Sequence, residues 1–432
     1  MRYLLLLSLS VSAAAHAETL TFAQTVALVA QSPAARSAAQ NAELARRGRD
    51  VSRSPVNLSL SSGVQGSGFG DPDDPGAGVT FDPVTLAATL NVVPVGPNAT
   101  AAERVDAGVT LAESAYTGTL QDTLLSAAEQ HLDALRSADR TTALRRQVGV
   151  ARFALEGVQA RLRAGAAGED EALAAQLALA GAESELATSL REGAEALGSL
   201  TLTLGVDVSG VQGPVPAGAA LTAYVLEAQL ERRSDVQTAT AAVREAELAA
   251  DDTRFGTLPT GTLGVGYSRS AGGQNVALGA AVSSESGFQP SLSASYGPAD
   301  APGGGFSASL GVRITLDPAT PAVLDMAALR VTQARADLDD VRALARLEVV
   351  SRERAAAETS LELAVRQLEL SHRLLAGVRA RFELGLVAPL ELRQAQVAQL
   401  EAELARDGAQ DAVLLARLRL ARALAIELEN VF

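Results

Sequence analysis

Two copies of one long pattern run through this chain, and that duplication limits its fold more than any motif does. Arg161, Gly165, Gln176, Glu183, Leu200 and Leu204 return 220 residues later as Arg381, Gly385, Gln396, Glu403, Leu420 and Leu424. Each copy joins two long helical stretches through a short glycine turn. Each also follows a Gly/Ser/Thr-rich stretch with strand-like alternation. Self-similarity at so long a period means two structural halves, about residues 18–215 and 216–432.

In the first half, Glu18 to about Arg53 reads as one helix interrupted at Ser32-Pro33, since proline can begin a helical turn but not continue one. Pro55 opens a change of period. Val56, Leu58 and Leu60 alternate with Asn57, Ser59 and Ser61, and Leu86, Ala88, Leu90 and Val92 alternate with Thr85, Ala87, Thr89 and Asn91. Strands are therefore expected at about 55–69 and 81–94. The Asp71-Pro72-Asp73-Asp74-Pro75-Gly76 loop would close them as a hairpin. Long helices follow at about 101–163 and 169–204, the first roughly 90 Å long at 1.5 Å per residue. Between them lies Ala164–Gly168, and the acidic start Glu169-Asp170-Glu171 suits a helix N-terminus. Gly205 to Gly218 reads as a connector between the halves.

The second half keeps the order. Leu221 to Arg254 is helical in pattern. About four strand candidates occupy residues 260–316, against two in the first half. Long helices are expected at about 321–382 and 389–428. Leu361, Ala364, Leu368, Ser371, Leu375, Val378 and Phe382 step by three and four, the seam of a left-handed coiled coil.

The N-terminus reads as an export signal. Met1-Arg2-Tyr3 is a short positive start, Leu4 to Val11 is apolar, and Ala15-His16-Ala17 is a small-residue cleavage site, placing the cut after Ala17. The chain has no Cys, so neither disulfides nor thiolate metal sites are available. All 36 basic residues are Arg, and the net charge of −14 argues against nucleic acid as a partner. No later apolar run reaches the length of a membrane helix. Aromatics make up only 3% of the chain, few for a globular core of this size, whereas Ala- and Leu-rich sequence suits long helices packed side by side.

The strands carry apolar residues on one face and Ser, Thr, Asn and Gly on the other. A soluble sandwich would show the same alternation. The export signal and the long, aromatic-poor helices favour a barrel with lipid outside and water inside, where no edge can stay open. Four to six strands are too few to enclose a channel, so several chains would share one barrel. Phe69, Phe81, Tyr267, Phe288, Tyr296 and Phe306, in or beside strands, suit an interfacial girdle, though Trp is missing.

Over essentially its whole mature length the chain resembles the TolC-like outer-membrane factor family. The most specific stretch is Arg381-Phe382-Glu383-Leu384-Gly385-Leu386-Val387-Ala388-Pro389-Leu390-Glu391, followed by Gln396, Leu400 and Glu403. The resemblance implies a mainly α fold with membrane β: a duplicated helix–β-hairpin–long helix–turn–helix in a trimeric β-barrel plus α-helical tunnel. It implies a homotrimer in outer-membrane lipid, with a periplasmic adaptor protein and an inner-membrane pump as partners. Gly165, Gly385, Leu386, Arg161 and Arg381 would lie at the turns offered to the adaptor. Glu171 and Glu391, each six residues after its glycine, would ring the periplasmic aperture, where a carboxylate ring favours cations. A helix N-terminal acid is the structural alternative for both. The chain departs from the family at Phe382, where a gating Tyr is found, and at Val387, where an Arg is found.

No catalytic chemistry is legible. The mature chain has two histidines, His131 and His372, both in helical pattern and expected on a surface or tunnel lining. There is no H-E-x-x-H, P-loop or Gly-x-Ser-x-Gly elbow. Asp71–Asp74 offers oxygen ligands for Ca²⁺, but a solvated turn accounts for it better. No cofactor is expected. The expected function is a passive exit duct for efflux or type I secretion, driven by a separate pump. The competing reading is a structural or adhesive envelope protein with a coiled-coil stalk.

Overall fold

The computed structural model describes residues 18–52, 56–61, 64–67, 78–81, 84–90, 97–216, 229–271, 274–283, 287–296, 303–313, 319–351 and 354–426. The export segment, Phe69, the Asp71–Gly76 loop, positions 91–94 and 314–316, the helical start at Leu221 and the helical end at Leu428 lie outside the described residues. In chain order the first elements are β1 (Glu18–Thr21), α1 (Phe22–Val29), α2 (Pro33–Ser52), β2 (Val56–Ser61), β3 (Val64–Ser67), β4 (Gly78–Phe81) and β5 (Val84–Leu90). Then come α3 (Pro97–Arg163), α4 (Glu169–Leu204), β6 (Val208–Gln212) and α5 (Ser234–Thr257). The remainder are β7 (Thr260–Ala271), β8 (Gln274–Ser283), β9 (Gly287–Tyr296), β10 (Gly303–Arg313), α6 (Thr320–Ser351), α7 (Arg354–Glu383) and α8 (Pro389–Ala423). The fold is mainly helical.

The chain forms two compact units, and neither follows the boundary between the sequence copies. One takes Met1–Ala39, Ala115–Arg233 and Ala343–Phe432, and the other takes Gln40–Ser114 and Ser234–Arg342. Each unit therefore draws on both halves of the chain.

In the first unit, Glu18–Thr21 is a strand and not the start of a helix. It pairs in parallel with β6, which the sequence presents as a connector. Thr21 then caps α1: its hydroxyl accepts from the Gln24 N–H at 3.3 Å, and its own N–H donates to Gln24 Oε1 at 2.8 Å. The helix stops before Ser32, whose Oγ accepts from the Ala35 N–H at 3.2 Å and so caps α2, with Pro33 at the first helical position. Phe22 and Val29 of α1, Leu124 and Leu132 of α3, Leu200 and Leu204 of α4, and Leu414 and Leu418 of α8 make one buried core.

The coiled-coil seam of α7 is visible residue by residue. Between Leu361 and Phe382 every seam position is buried or half-buried, and every other position is exposed. The helix expected at 321–382 appears as α6 and α7, and its continuity through Arg352-Glu353 lies outside the described residues. The returning helix α8 ends at Ala423, short of the expected 428. Ala425 adopts φ 50, and the Ile426 N–H bonds back to the Ala421 carbonyl at 2.9 Å. Such a left-handed closure ends a helix without a glycine to announce it.

In the second unit six strands form one sheet in the order β10-β7-β8-β9-β5-β2. All neighbouring pairs are antiparallel. The first hairpin is paired as β2–β5 and β3–β4. Ser61 faces Thr85, whereas Val64 faces Phe81, so the two ladders are offset by one residue. Arg–carboxylate pairs tie this unit's helices together. Arg104 bonds Glu245 at 3.0 Å and Asp252 at 2.6 Å, Arg335 bonds Glu247 at 2.9 Å, and Arg46 bonds Glu113 at 2.8 Å.

Candidate functional site

The alternation in the sheet keeps one phase across its strands. Leu263 stands opposite Val282 and Leu310, Tyr267 opposite Leu278 and Phe306, and Leu292 opposite Leu278 and Ala88. Over β7–β10 and β5 this face is mostly apolar, with Arg269 and Gln274 at one end, yet it is open. Leu263, Val265, Val276, Leu278 and Leu292 are about half exposed, and on β10 Phe306 is 89% and Leu310 80% exposed. The other face is small and polar. Gly264 stands opposite Ser309, Gly266 opposite Ser307, and Gly279 opposite Ser291. A Cβ at Gly264 would lie 2.7 Å from Ser309 Oγ, so the hydroxyls occupy the space the glycines leave. Apolar surface of this extent is costly in water, at about 25 cal/mol per Å², and stable in hydrocarbon.

The two helical turns are the second candidate site, and they are copies down to the hydrogen bond. After α3, the Gly165 N–H bonds the Leu162 carbonyl at 3.0 Å and the Ala166 N–H bonds that of Arg161 at 2.8 Å. After α7, the Gly385 N–H bonds the Phe382 carbonyl at 2.8 Å and the Leu386 N–H bonds that of Arg381 at 2.9 Å. Gly165 has φ 71 and Gly385 has φ 73. Both turns need the left-handed conformation that only glycine takes at little cost. Leu384 and Leu386 stand exposed at the second turn.

Within each turn the structure joins residues that the sequence reading assigned to separate roles. Arg161 lies 3.3 Å from Glu171, and Arg381 lies 4.0 Å from Glu391. All four side chains are more than half exposed. An arginine beside each carboxylate damps its field, so any ring built from Glu171 or Glu391 is weaker than bare carboxylates would make it. Arg393 of α8 also lies over the Phe153 ring of α3 at 4.0 Å, tying the two hairpins together near their turns.

Two interior features escaped the sequence reading. His131 is not on a surface: α3 carries it into the core, fully buried against Phe22, with Nδ1 2.9 Å from Thr25 Oγ1. Among the described residues its Nε2 has no hydrogen-bond partner, and burial holds its pKa down to about 4. His372 is half exposed, 3.9 Å from Glu403. The second feature is a cleft of about 990 Å³ among α3, α4 and α8 that gathers Asp139, Asp407, Asp411 and Arg136. Arg136 donates to Asp411 at 3.1 Å. Burial raises the Asp411 pKa against the pull of Arg136, and burial with the nearby Asp407 raises that of Asp139. Arg136 and Asp411 are 275 residues apart on different helices, so no local spacing could announce their pairing. Among the described residues no group of acidic or histidine side chains is arranged to hold a metal, and no helix is long and apolar enough to cross a membrane.

The sequence profile of the family described as Outer membrane efflux protein matches residues 225–425. No curated protein matches the chain by sequence. In fold the chain is similar to the CmeC outer membrane channel of Campylobacter jejuni, at 13% identity and a TM-score of 0.66, with 93% of this chain and 85% of that one covered. It is similar to the outer membrane protein VceC of Vibrio cholerae, at 16% identity and a TM-score of 0.67, covering 94% and 96%. It is also similar to the open state of the MtrE outer membrane channel of Neisseria gonorrhoeae, at 17% identity and a TM-score of 0.66, covering 95% and 90%. At these identities the likeness establishes the fold. The resemblance to TolC-like outer-membrane factors, first visible at Arg381–Glu391, thus holds by profile over the second half and by fold along nearly the whole chain. The family is one of outer-membrane channels, and the chain is not an enzyme.

Proposed function

We propose that the chain is the outer-membrane exit duct of a tripartite efflux or type I secretion system: a passive homotrimer spanning outer membrane and periplasm. A separate inner-membrane pump would drive it through a periplasmic adaptor. The observation that carries this reading is the open apolar face, in one phase over the sheet, set against a Gly/Ser/Thr face. That is the division of a wall between lipid and water. The helical hairpins would enclose the periplasmic part of the path, and an N-terminal signal cleaved after Ala17 would direct export. The two halves, about 18–215 and 216–432, would act as structural repeats in each protomer.

In this reading Gly165, Gly385, Leu386, Arg161 and Arg381 present the turns to the adaptor, and Glu171 and Glu391 form three-fold carboxylate rings at the aperture. With Phe382 in the seam and Val387 beside the turn, the entrance would be held by packing. Single-channel recordings in planar bilayers test the reading. Discrete openings are expected, with cation preference reduced in Glu391→Gln. Trimers inserted in the bilayer that never conduct would contradict it.

A further inference from the structure

The sheet order contains a guest. β7 ends at Ala271 and β10 begins at Gly303, and Gly303 already stands opposite Ser270, so β7 and β10 form a hairpin whose connection makes a long detour. The detour is β8 and β9, residues Gln274–Tyr296, and this pair lies between β7 and β5. Because the guest contributes two strands, it leaves polarity intact: β7 would be antiparallel to β5 with or without it.

The guest hairpin is built as wall and not as a loop over the surface. It continues the apolar face through Val276, Leu278 and Leu292, and the small face through Gly279 opposite Ser291. Among the described residues nothing pairs with the outer side of β10 or of β2. With six alternating strands these two edges run in opposite directions. One copy's β10 can therefore continue the antiparallel ladder along the next copy's β2. Such a head-to-tail contact closes into a ring, and hydrocarbon offers an edge no other hydrogen-bond partner.

We infer that Gln274–Tyr296 is an inserted hairpin that widens the membrane wall from four strands to six per protomer, with β10 meeting β2 of a second copy of this chain at each seam. Resting on the trimeric duct proposed above, three copies of six strands make eighteen instead of twelve. Barrel diameter grows roughly linearly with strand number, so the lumen is about one and a half times as wide. The membrane segment then admits bulkier solutes than a twelve-stranded wall, and selection falls to the helical end.

The test is a strand count by electron cryomicroscopy on the full chain in lipid nanodiscs, beside a variant lacking Gln274–Tyr296. The chain has no native cysteine, so the register partners Ala87 and Ser293 can also be replaced together, as Ala87→Cys with Ser293→Cys, and oxidised. Eighteen strands in the full chain, a β5–β9 disulfide within each protomer, and twelve strands in the deletion variant are expected. A twelve-stranded trimer from the full chain, with no β5–β9 disulfide, overturns the inserted wall and leaves the duct standing. Monomers in the nanodisc overturn the duct as well. If the deletion variant does not fold, the count and the disulfide in the full chain still decide.

Discussion

The helical hairpins of the two halves are near-identical objects, while their strands are not. Gly165 and Gly385 share a backbone angle and a hydrogen-bond pattern, and the ends of the returning helices share a left-handed residue, Gly205 with φ 69 and Ala425 with φ 50. These are the four positive-φ residues among the described ones, and they form two pairs 220 residues apart. The first half, by contrast, gives β2 and β5 to the main sheet, and the second gives four strands. A helix closes its hydrogen bonds within itself, so a duplicated helical hairpin can persist unchanged. A strand takes its bonds from neighbours, so one half can add a pair when the sheet has room.

Equivalent substitutions in the two copies probe how deep the symmetry runs. The largest effect is expected for the repeat partners Leu204→Ala and Leu424→Ala, both fully buried: about 2–5 kcal/mol each, read by denaturant unfolding in detergent. A large difference between them would show that the two helix ends pack differently. His131 has no counterpart in the second copy, where Ser351 stands. Its folded pKa lies below its unfolded value of about 6.5. Stability is therefore complete above pH 6.5 and falls by about 3 kcal/mol as the pH drops towards 4. His131→Phe should abolish that slope, and an unchanged acid profile would place the sensitive group elsewhere.

Smaller effects separate the two helix ends by sign. Gly205→Ala should cost about 1–2 kcal/mol from the left-handed backbone, and more because its Cβ would lie 2.8 Å from Pro33 Cγ. Ala425→Gly should stabilise by about 1 kcal/mol, since the strain is already present there. Equal signs in thermal unfolding would break the correspondence. Smallest of all, Glu171→Gln and Glu391→Gln should each change stability by less than about 0.5 kcal/mol, because both ion pairs are exposed. A larger loss in either would show that its pair latches the turn.

What was legible in the sequence is what is local. The seam from Leu361 to Phe382 matched burial at every position, and the glycine turns and the phase of the strands could be read from spacing alone. Glu18–Thr21 was misread because its partner, Val208–Gln212, lies some 190 residues away and its own Leu20 fits a helical period. The end of α8 was misread because Ala425 takes a conformation usually marked by glycine. His131 was misplaced because helical spacing tells which face a residue occupies, not what packs against that face. The Arg136–Asp411 cluster was missed for the same reason.

The apolar side of the sheet decides the account. Single cysteines placed in turn from Asn275 to Val282 on β8, each spin-labelled in bilayer-reconstituted protein, can be probed with oxygen and with a water-soluble nickel chelate. A lipid wall requires oxygen access to peak at Val276, Leu278, Ala280 and Val282, and chelate access to peak at the residues between them. Chelate access that is equal on both sets would mean the sheet stands in water, and the duct reading would fail with it.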